Sequence, residues 1–135
     1  MLARLIPTKT HAGMDYAVGL LLIASPWLFG FADESTAATW IAVLAGVAML
    51  SLSAITDYEG GLLARLIPMR THLMADAGLG LLLAVSPWLF GFADEGTNTW
   101  LPFLAIGLGE IASAATTDPQ PGKRSRRRST ARSAT

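Results

Sequence analysis

Two pairs of ionisable side chains recur at the same spacing in this sequence. His11 is followed four residues later by Asp15, and His72 is followed four residues later by Asp76. On a helix, this spacing places an imidazole and a carboxylate on one face within hydrogen-bonding reach. Such a pair can anchor a helix end or link two helices, which is the favoured interpretation. It can also admit protons or cations, because histidine titrates near neutral pH.

A fifth ionisable side chain, Glu110, lies in an apolar stretch. The shift that relates the two His–Asp pairs places Met49 opposite it, so the first copy has no equivalent carboxylate. An ionisable group inside a membrane costs several kcal/mol and usually faces a partner or water. We expect a protonated Glu110 that bonds to Ser51, Ser53 or Ser113, or to a partner subunit. The alternative is a proton-coupled site.

The segments that carry these residues are long and apolar. Of the 135 residues, 52% are hydrophobic and only 15% are charged. Four stretches have no charged residue except Glu110: 16–32, 35–56, 77–93 and 96–117. Their lengths match the roughly 17–25 helical residues that cross a bilayer, and they lack the polar face of a soluble bundle helix. The sequence therefore predicts an all-α polytopic membrane protein with four transmembrane helices.

The charges between these stretches predict an orientation. The basic residues lie before the first span, between the second and third, and after the fourth: Arg4, Lys9, Arg65, Arg70 and six residues beyond 119. The other two loops hold only acidic residues: Asp33, Glu34, Asp94 and Glu95. By the positive-inside rule, both termini are cytoplasmic, and we expect a multi-pass protein of the inner (cytoplasmic) membrane.

Aromatic residues near the ends of the spans predict a belt at the outer membrane surface. The predicted belt comprises Trp27, Trp40, Trp88, Trp100, Phe29, Phe31, Phe90 and Phe92.

The sequence contains an internal duplication of one predicted helical hairpin. A shift that places Leu2 on Leu63 aligns 2–34 with 63–95, and 23 of these 33 positions are identical. Both copies enter the membrane from the same side, so the two hairpins are parallel repeats. The repeats divide the chain into five segments. Residues 1–9 form an interfacial arm, 10–57 the first repeat (helices about 11–31 and 36–56), and 58–71 a cytoplasmic linker with a short interfacial helix. Residues 72–118 form the second repeat (helices about 72–92 and 97–117), and 119–135 form a disordered basic tail.

Two further patterns predict contacts. Small residues at helical spacing favour close helix packing. They are Gly19, Ala38, Ala42 and Gly46 in the first copy, and Gly80, Ala105, Gly109 and Ser113 in the second. The repeated segment LARLIP, at 2–7 and 63–68, is expected to form short helices on the inner leaflet, with Arg4 and Arg65 reaching lipid phosphates.

The most specific motif is also duplicated. It consists of Ser25, Pro26 and Trp27 in the first copy and of Ser86, Pro87 and Trp88 in the second. Each proline lacks an N–H and frees a carbonyl, that of Leu22 or Leu83, to which the serine can bond. Gly30 and Gly91 follow where a left-handed helix cap would fall. A structural role is favoured over an outward-facing site.

On this motif, the chain resembles the SPW repeat family of small bacterial integral membrane proteins. The resemblance covers roughly 10–57 and 71–118. It implies a membrane location and two transmembrane helices in each repeat, and it implies no biochemical activity.

No pattern is typical of an enzyme. The chain has no cysteine, no glycine-rich phosphate loop and no recognised metal-ligand motif. The histidines are expected on the cytoplasmic side of the membrane, whereas Ser25 and Ser86 are expected near its outer face. We therefore predict no enzymatic activity, no catalytic residue, no cofactor and no metal.

The expected partners are the lipid bilayer, anionic headgroups that bind the basic tail, and a second copy of the chain. The tail has no aromatic residue for stacking on bases, so we expect no nucleic acid partner. The leading hypothesis is a structural or interaction module of the inner membrane. The alternative is a small proton-coupled or cation conduit or carrier that uses Asp15, Asp76 and Glu110.

Overall fold

The computed structural model describes residues 4–120, which form four α-helices. They are α1 (Thr8–Leu28), α2 (Thr36–Ala54), α3 (Met69–Leu89) and α4 (Thr97–Thr116). Within this range, the only β-type pairings are two isolated bridges. The predicted all-α fold with four helices is confirmed. The predicted basic tail lies outside the described residues from 121 onward.

The helices have the dimensions of membrane spans. They contain 19 to 21 residues each, which corresponds to about 30 Å, the thickness of a bilayer's hydrocarbon core. Two of the four, α2 and α3, are long and apolar enough to cross a membrane by length and composition.

Each repeat forms one helical hairpin. α1 packs mainly against α2, and α3 mainly against α4, while contacts between the hairpins are sparser. α1 and α3 begin at the same end of the bundle. We call this the basic end, after the flanking residues Arg4, Lys9, Arg65 and Arg70. We call the opposite end the acidic end, after Asp33, Glu34, Asp94 and Glu95.

α1 and α3 begin and end three residues earlier than the predicted spans of 11–31 and 72–92. Each begins directly after an extended proline, Pro7 or Pro68. Each ends just before Gly30 or Gly91, which take φ values of 76° and 77°. This left-handed conformation favours glycine and ends a right-handed helix, so the predicted glycine caps are confirmed.

The predicted interfacial helix at 63–68 is wrong. This segment is non-helical, and its backbone caps the end of α2: the N–H groups of Leu66 and Ile67 donate to the carbonyl of Ile55 at 2.8 and 3.0 Å. The last carbonyls of a helix lack intrahelical partners and attract donors of this kind. A local apolar pattern does not reveal such distant acceptors.

The first copy of the segment pairs in the same way with α4. Leu5 and Ile6 donate to the carbonyl of Thr116 at 2.8 and 3.1 Å. Each LARLIP segment therefore caps the second helix of the other repeat. The two arginines lie beside aspartates there, with Arg4 4.0 Å from Asp118 and Arg65 3.8 Å from Asp57.

An apolar core fills the bundle on the side of the acidic end. It consists of Leu22, Phe31, Ala38, Ala42, Ala45, Met49, Leu83, Phe92 and Phe103. The predicted belt is wrong for Phe31 and Phe92, which are fully buried against Phe103. The chain turns back after Gly30 and Gly91 and returns these rings to the bundle. The other aromatic side chains are exposed or half-buried: Trp27, Trp40, Trp88, Trp100, Phe29 and Phe90.

Candidate functional site

Four ionisable side chains meet inside the bundle near the basic end. His11 and Asp15 come from the first two turns of α1, and His72 and Asp76 come from the equivalent turns of α3. All four are at most 1% exposed. We call this cluster the His–Asp ring. The sequence predicted the pairing within each helix, and the structure brings the two pairs together.

The ring is closed by contacts between the repeats as well as within them. The Nε2 atom of His11 lies 2.8 Å from Oδ2 of Asp76 and 3.1 Å from Oδ1 of Asp15. The Nε2 atom of His72 lies 2.9 Å from Oδ2 of Asp15 and 2.9 Å from Oδ2 of Asp76. Each imidazole therefore directs one nitrogen at two carboxylates, one of which belongs to the other repeat.

Threonine hydroxyls fix the other nitrogen of each ring. The hydroxyl of Thr117 lies 2.8 Å from Nδ1 of His11, and the hydroxyl of Thr56 lies 2.8 Å from Nδ1 of His72. Each hydroxyl already donates its proton to a backbone carbonyl in its own helix end, at 2.7 and 2.6 Å. Each must therefore accept from the imidazole, so Nδ1 carries a proton in both histidines.

This assignment determines what Nε2 can do. With Nδ1 protonated, Nε2 is either the second N–H of an imidazolium or a free lone pair. As an imidazolium, it donates to the carboxylates and the ring becomes a network of charge-assisted hydrogen bonds. As a free lone pair, Nε2 faces carboxylate oxygens that also carry lone pairs, so only a shared proton or a cation can join the nitrogen to these oxygens. The ligand atoms of the four residues lie within 4.8 Å of one another, close enough to hold a metal ion.

Asp15 has more partners than Asp76, although the repeat makes them equivalent. Its Oδ2 accepts from Tyr58 at 2.8 Å and from Ser53 at 3.1 Å, in addition to its contact with His72. The equivalent positions in the second copy are Pro119 and Ala114, which carry no hydroxyl. The ring is therefore symmetric in its four members and asymmetric in its surroundings.

Tyr58 covers the ring from the segment that joins the two hairpins. Its side chain is 1% exposed and packs on His72, with ring centroids 5.0 Å apart. The hydroxyl of Tyr16 donates to the carbonyl of Gly60 and the hydroxyl of Thr8 donates to Glu59, both at 2.6 Å, so the segment is held to α1 on both sides of the ring. Burial raises the pKa of the Tyr58 hydroxyl, which therefore stays protonated as a donor to Asp15.

Among the described residues, three buried carboxylate oxygens have no hydrogen-bond partner: Oδ1 of Asp15, Oδ1 of Asp76 and Oε2 of Glu110. The Oδ1 atom of Asp15 is near His11 but is not aligned for a hydrogen bond. Unsatisfied buried oxygens of this kind are uncommon and call for an explanation such as an ion or a functional role.

Glu110 is 4% exposed and packs against Gly80, one helical turn from Asp76. Ser53 and Ser113, two of its expected partners, instead bond to Asp15 and His11. The expected bond from Glu110 to these serines is therefore wrong, because the ring recruits both hydroxyls.

The duplicated proline motif adopts the predicted local structure. Ser25 and Ser86 are buried, and their hydroxyls donate to the carbonyls of Leu22 and Leu83 at 2.7 Å in each copy. These are the carbonyls that Pro26 and Pro87 leave without an N–H partner. Trp27 and Trp88 are 65% and 61% exposed and point out of the bundle. The motif therefore shapes the ends of α1 and α3, far from the ring.

Comparison with known families assigns the chain. The SPW repeat domain matches residues 9–117, which include both proline motifs and all four members of the ring. The chain belongs to the SPW repeat family. No curated protein and no solved structure matches it. Together with the two apolar helices, membership identifies this SPW repeat protein as an integral membrane protein.

Sequence reasoning missed three residues of the site in this SPW repeat protein: Tyr58 and the two threonines, Thr56 and Thr117. The threonines occupy equivalent positions under the same shift that relates the halves of the ring. Extending the repeat comparison to the ends of the second helices would have found them. Nothing in the sequence pairs Tyr58 with Asp15, because the residue equivalent to Tyr58 in the second copy is Pro119, which has no hydroxyl.

Proposed function

We propose that this SPW repeat protein is a non-enzymatic structural and interaction module of the inner membrane. The observation that carries the proposal is the crossed pairing between the repeats. Each histidine bonds to the aspartate of the other repeat, and each LARLIP segment caps the other repeat's second helix. The threonines extend this pairing, since His11 bonds to Thr117 and His72 to Thr56. The conspicuous polar groups thus act in holding the two hairpins together.

The packing beside the ring supports this role. Leu22 and Leu83 are fully buried two helical turns beyond Asp15 and Asp76, about 10 Å toward the acidic end. Phe31, Phe92 and Phe103 pack behind them in the same apolar core. A hydrated ion that crossed the bundle would have to pass this apolar layer, which opposes conduction.

The surface suits a module that contacts lipid and other membrane helices. Large apolar side chains on all four helices are exposed, among them Leu20, Leu44, Leu81 and Leu108. In this proposal they face acyl chains or a second copy of the chain. The basic end faces the cytoplasm, as the one-sided distribution of basic residues favours. The basic tail there would bind anionic headgroups.

The proposal predicts a stabilising ring and a bundle that does not conduct. Asp76→Ala leaves the ring with an unmatched imidazole and should lower the free energy of unfolding by about 3–5 kcal/mol in a thermal or chemical melt. Purified protein in liposomes should show no proton or cation flux, with or without a pH gradient. A pH-driven flux that Asp76→Asn abolishes would contradict the structural role.

A second candidate, a proton-coupled or cation conduit, is favoured by one specific observation. Glu110 is buried next to the ring and its Oε2 has no partner. Glu110→Gln tests it, because an amide keeps the shape but cannot titrate. Because Glu110 does not bond to the expected serines and its Oε2 has no partner, the structural proposal expects Glu110→Gln and Glu110→Leu each to change the free energy of unfolding by less than about 1 kcal/mol. Loss of a wild-type pH-driven flux in the Gln variant, with its melt unchanged, would establish the conduit instead.

A further inference from the structure

The chemistry of the His–Asp ring matches that of a closed metal site. Two imidazole nitrogens and two carboxylates are ligands that Zn²⁺ and other divalent first-row ions accept, and structural zinc sites use four protein ligands. All four residues are buried, and their ligand atoms lie within 4.8 Å of one another. The two His–Asp pairs come from helices whose backbones do not approach closely, so the side chains alone bridge α1 and α3.

The threonines orient the imidazoles as metal ligands are oriented. A histidine that binds a metal through Nε2 commonly donates its Nδ1 proton to an oxygen, which fixes the tautomer and directs the lone pair. Thr117 and Thr56 accept this proton from His11 and His72. Both Nε2 atoms then converge on the centre of the ring.

The unpartnered oxygens are the second observation that indicates a ligand. Asp15 and Asp76 each bury one carboxylate oxygen, Oδ1, without a hydrogen bond inside this cluster. A cation at the centre of the ring would satisfy Oδ1 of Asp15, which lies 3.1 Å from Nε2 of His11. Two carboxylates and two neutral imidazoles also carry a formal charge of −2, which one divalent ion neutralises.

The distances between the ligand atoms bracket those of a tetrahedral metal site. Bonds of about 2.0–2.1 Å to a tetrahedral ion separate neighbouring ligand atoms by about 3.3 Å. The four nitrogen–oxygen edges of the ring measure 2.8, 2.9, 2.9 and 3.1 Å. Side-chain rotations must therefore lengthen each of these edges by a few tenths of an ångström and bring the ligand atoms that lie farthest apart, at most 4.8 Å, closer together.

We propose that the His–Asp ring binds one divalent transition-metal ion, with Zn²⁺ the best match, through Nε2 of His11 and His72 and the carboxylates of Asp15 and Asp76. With four protein ligands and no exposed position, the ion is structural and links α1 to α3. The proposal goes beyond the role of the ring in joining the hairpins, which an imidazolium network could also fulfil.

The composition of the chain allows zinc binding to be attributed to the His–Asp ring. His11 and His72 are its only histidines, and it has no cysteine, so imidazole-dependent zinc binding can arise only from the ring. Tag-free full-length protein in detergent is stripped with a chelator and titrated with Zn²⁺. Bound metal is measured by mass spectrometry, and Co²⁺ is used as a probe of tetrahedral geometry through its visible absorption.

We expect one Zn²⁺ per chain and a melting temperature that rises with free zinc concentration. His72→Gln and His11→Gln should each weaken binding at least tenfold. Thr56→Val, which keeps every ligand and removes the hydroxyl that accepts from Nδ1 of His72, should weaken binding by about 10–100-fold at unchanged stoichiometry. Glu59→Gln removes a carboxylate at the same end but outside the ring, and should bind like wild type.

Zinc binding that is equal in wild type, His72→Gln and Glu59→Gln would overturn the proposal, as would a melting temperature that does not respond to zinc. If the histidine variants do not fold, Thr56→Val and the Co²⁺ spectrum of the wild type decide the question. The outcome is independent of the proposed function. Absence of zinc leaves the non-conducting bundle intact, and flux through zinc-loaded protein refutes the structural role but not the site.

Discussion

Asp15 and Asp76 show how one residue type acquires different surroundings within a duplicated sequence. Both face two histidines, but only Asp15 accepts from a tyrosine and a serine on the same oxygen. The additional donors are Tyr58 and Ser53, and the second copy has no hydroxyl at either equivalent position. The donor from Tyr58 ties Asp15, but not Asp76, to the segment that joins the two hairpins.

Tyr58→Phe measures the contribution of this donor at a single residue. The change removes one hydroxyl and leaves Oδ2 of Asp15 with Ser53 and His72. A hydrogen bond to a carboxylate contributes about 1.5–3 kcal/mol, so we expect a loss of that size in the free energy of unfolding at pH 7. Denaturant-induced unfolding in detergent would measure this loss. A loss smaller than about 0.5 kcal/mol, the low end for any hydrogen bond, would mean that Tyr58 covers the ring without stabilising it.

The same variant carries a pH dependence of known sign. Burial raises the pKa of Tyr58 in the folded protein above the ordinary tyrosine value of about 10. The unfolded chain therefore ionises first, and the stability that Tyr58 contributes is present below pH 10 and declines above it. The difference between wild type and Tyr58→Phe should shrink from pH 9 to pH 11. A constant difference across this range would show that the hydroxyl is accessible to solvent.

Residue spacing predicted the two His–Asp pairs but not the ring that they form. The separation of His11 from Asp15 follows from helix geometry, which a sequence displays directly. The contact of His11 with Asp76 depends on how two hairpins pack, and these residues are 65 positions apart. The expected bonds from Glu110 to Ser53 and Ser113 are wrong for the same reason, since both serines bond instead to members of the ring in the folded bundle.

At the scale of elements, close packing of each hairpin depends on paired glycines. A Cβ on Gly46 would lie 2.6 Å from the carbonyl oxygen of Gly19, and a Cβ on Gly107 would lie 2.5 Å from that of Gly80. The predicted stripe of small residues is therefore right in α2, where Gly46 is buried together with the two alanines that precede it on the same face.

In α4, the predicted stripe is wrong, because Ala105 and Gly109 are exposed and only Ser113 is buried. The inward positions belong to Phe103, Gly107 and Glu110. The shift between the repeats relates the buried glycine of α2 to that of α4, so the repeat located the contact better than small-residue spacing did. Small residues are common on any membrane helix, and their spacing alone does not identify the packed face.

Two glycines of α4 provide a matched test of this packing. Gly107→Ala inserts a methyl group against backbone atoms of α3 and should force the helices apart, at a cost of about 1–3 kcal/mol. Gly109→Ala adds the same methyl where nothing lies within 4 Å, and alanine favours helix by about 0.5–1 kcal/mol. The melting temperatures of the two variants should therefore shift in opposite directions from that of the wild type. Equal shifts would contradict the close approach at Gly107.

At the scale of the whole molecule, features that depend on local sequence were predictable, whereas contacts between residues far apart in sequence were not. The four helices followed from the lengths of uncharged stretches, and the two hairpins followed from the repeat. The capping of α2 and α4 by the LARLIP segments did not follow, because backbone donors and acceptors leave no trace in residue type. The return of Phe31 and Phe92 into the core was missed for a similar reason, since it depends on the turn at the preceding glycines.

The orientation of the bundle is the prediction that concerns the molecule as a whole. All basic residues lie at the basic end or beyond it in sequence, so this end should face the cytoplasm. The chain has no native cysteine, which makes single cysteines clean reporters. Thr97 at the acidic end and Leu62 at the basic end are both exposed.

In right-side-out membrane vesicles, Thr97→Cys should react with a membrane-impermeant maleimide, because the proposed topology places the acidic end outside. Leu62→Cys should react only after detergent opens the vesicles, and Ser129→Cys in the tail should behave in the same way. The detergent-treated sample is the control for reactivity at each position. Labelling of Leu62→Cys in sealed vesicles, with Thr97→Cys protected, would invert the topology. It would then place the His–Asp ring near the outer surface, where its histidines would meet the external pH and external metal ions.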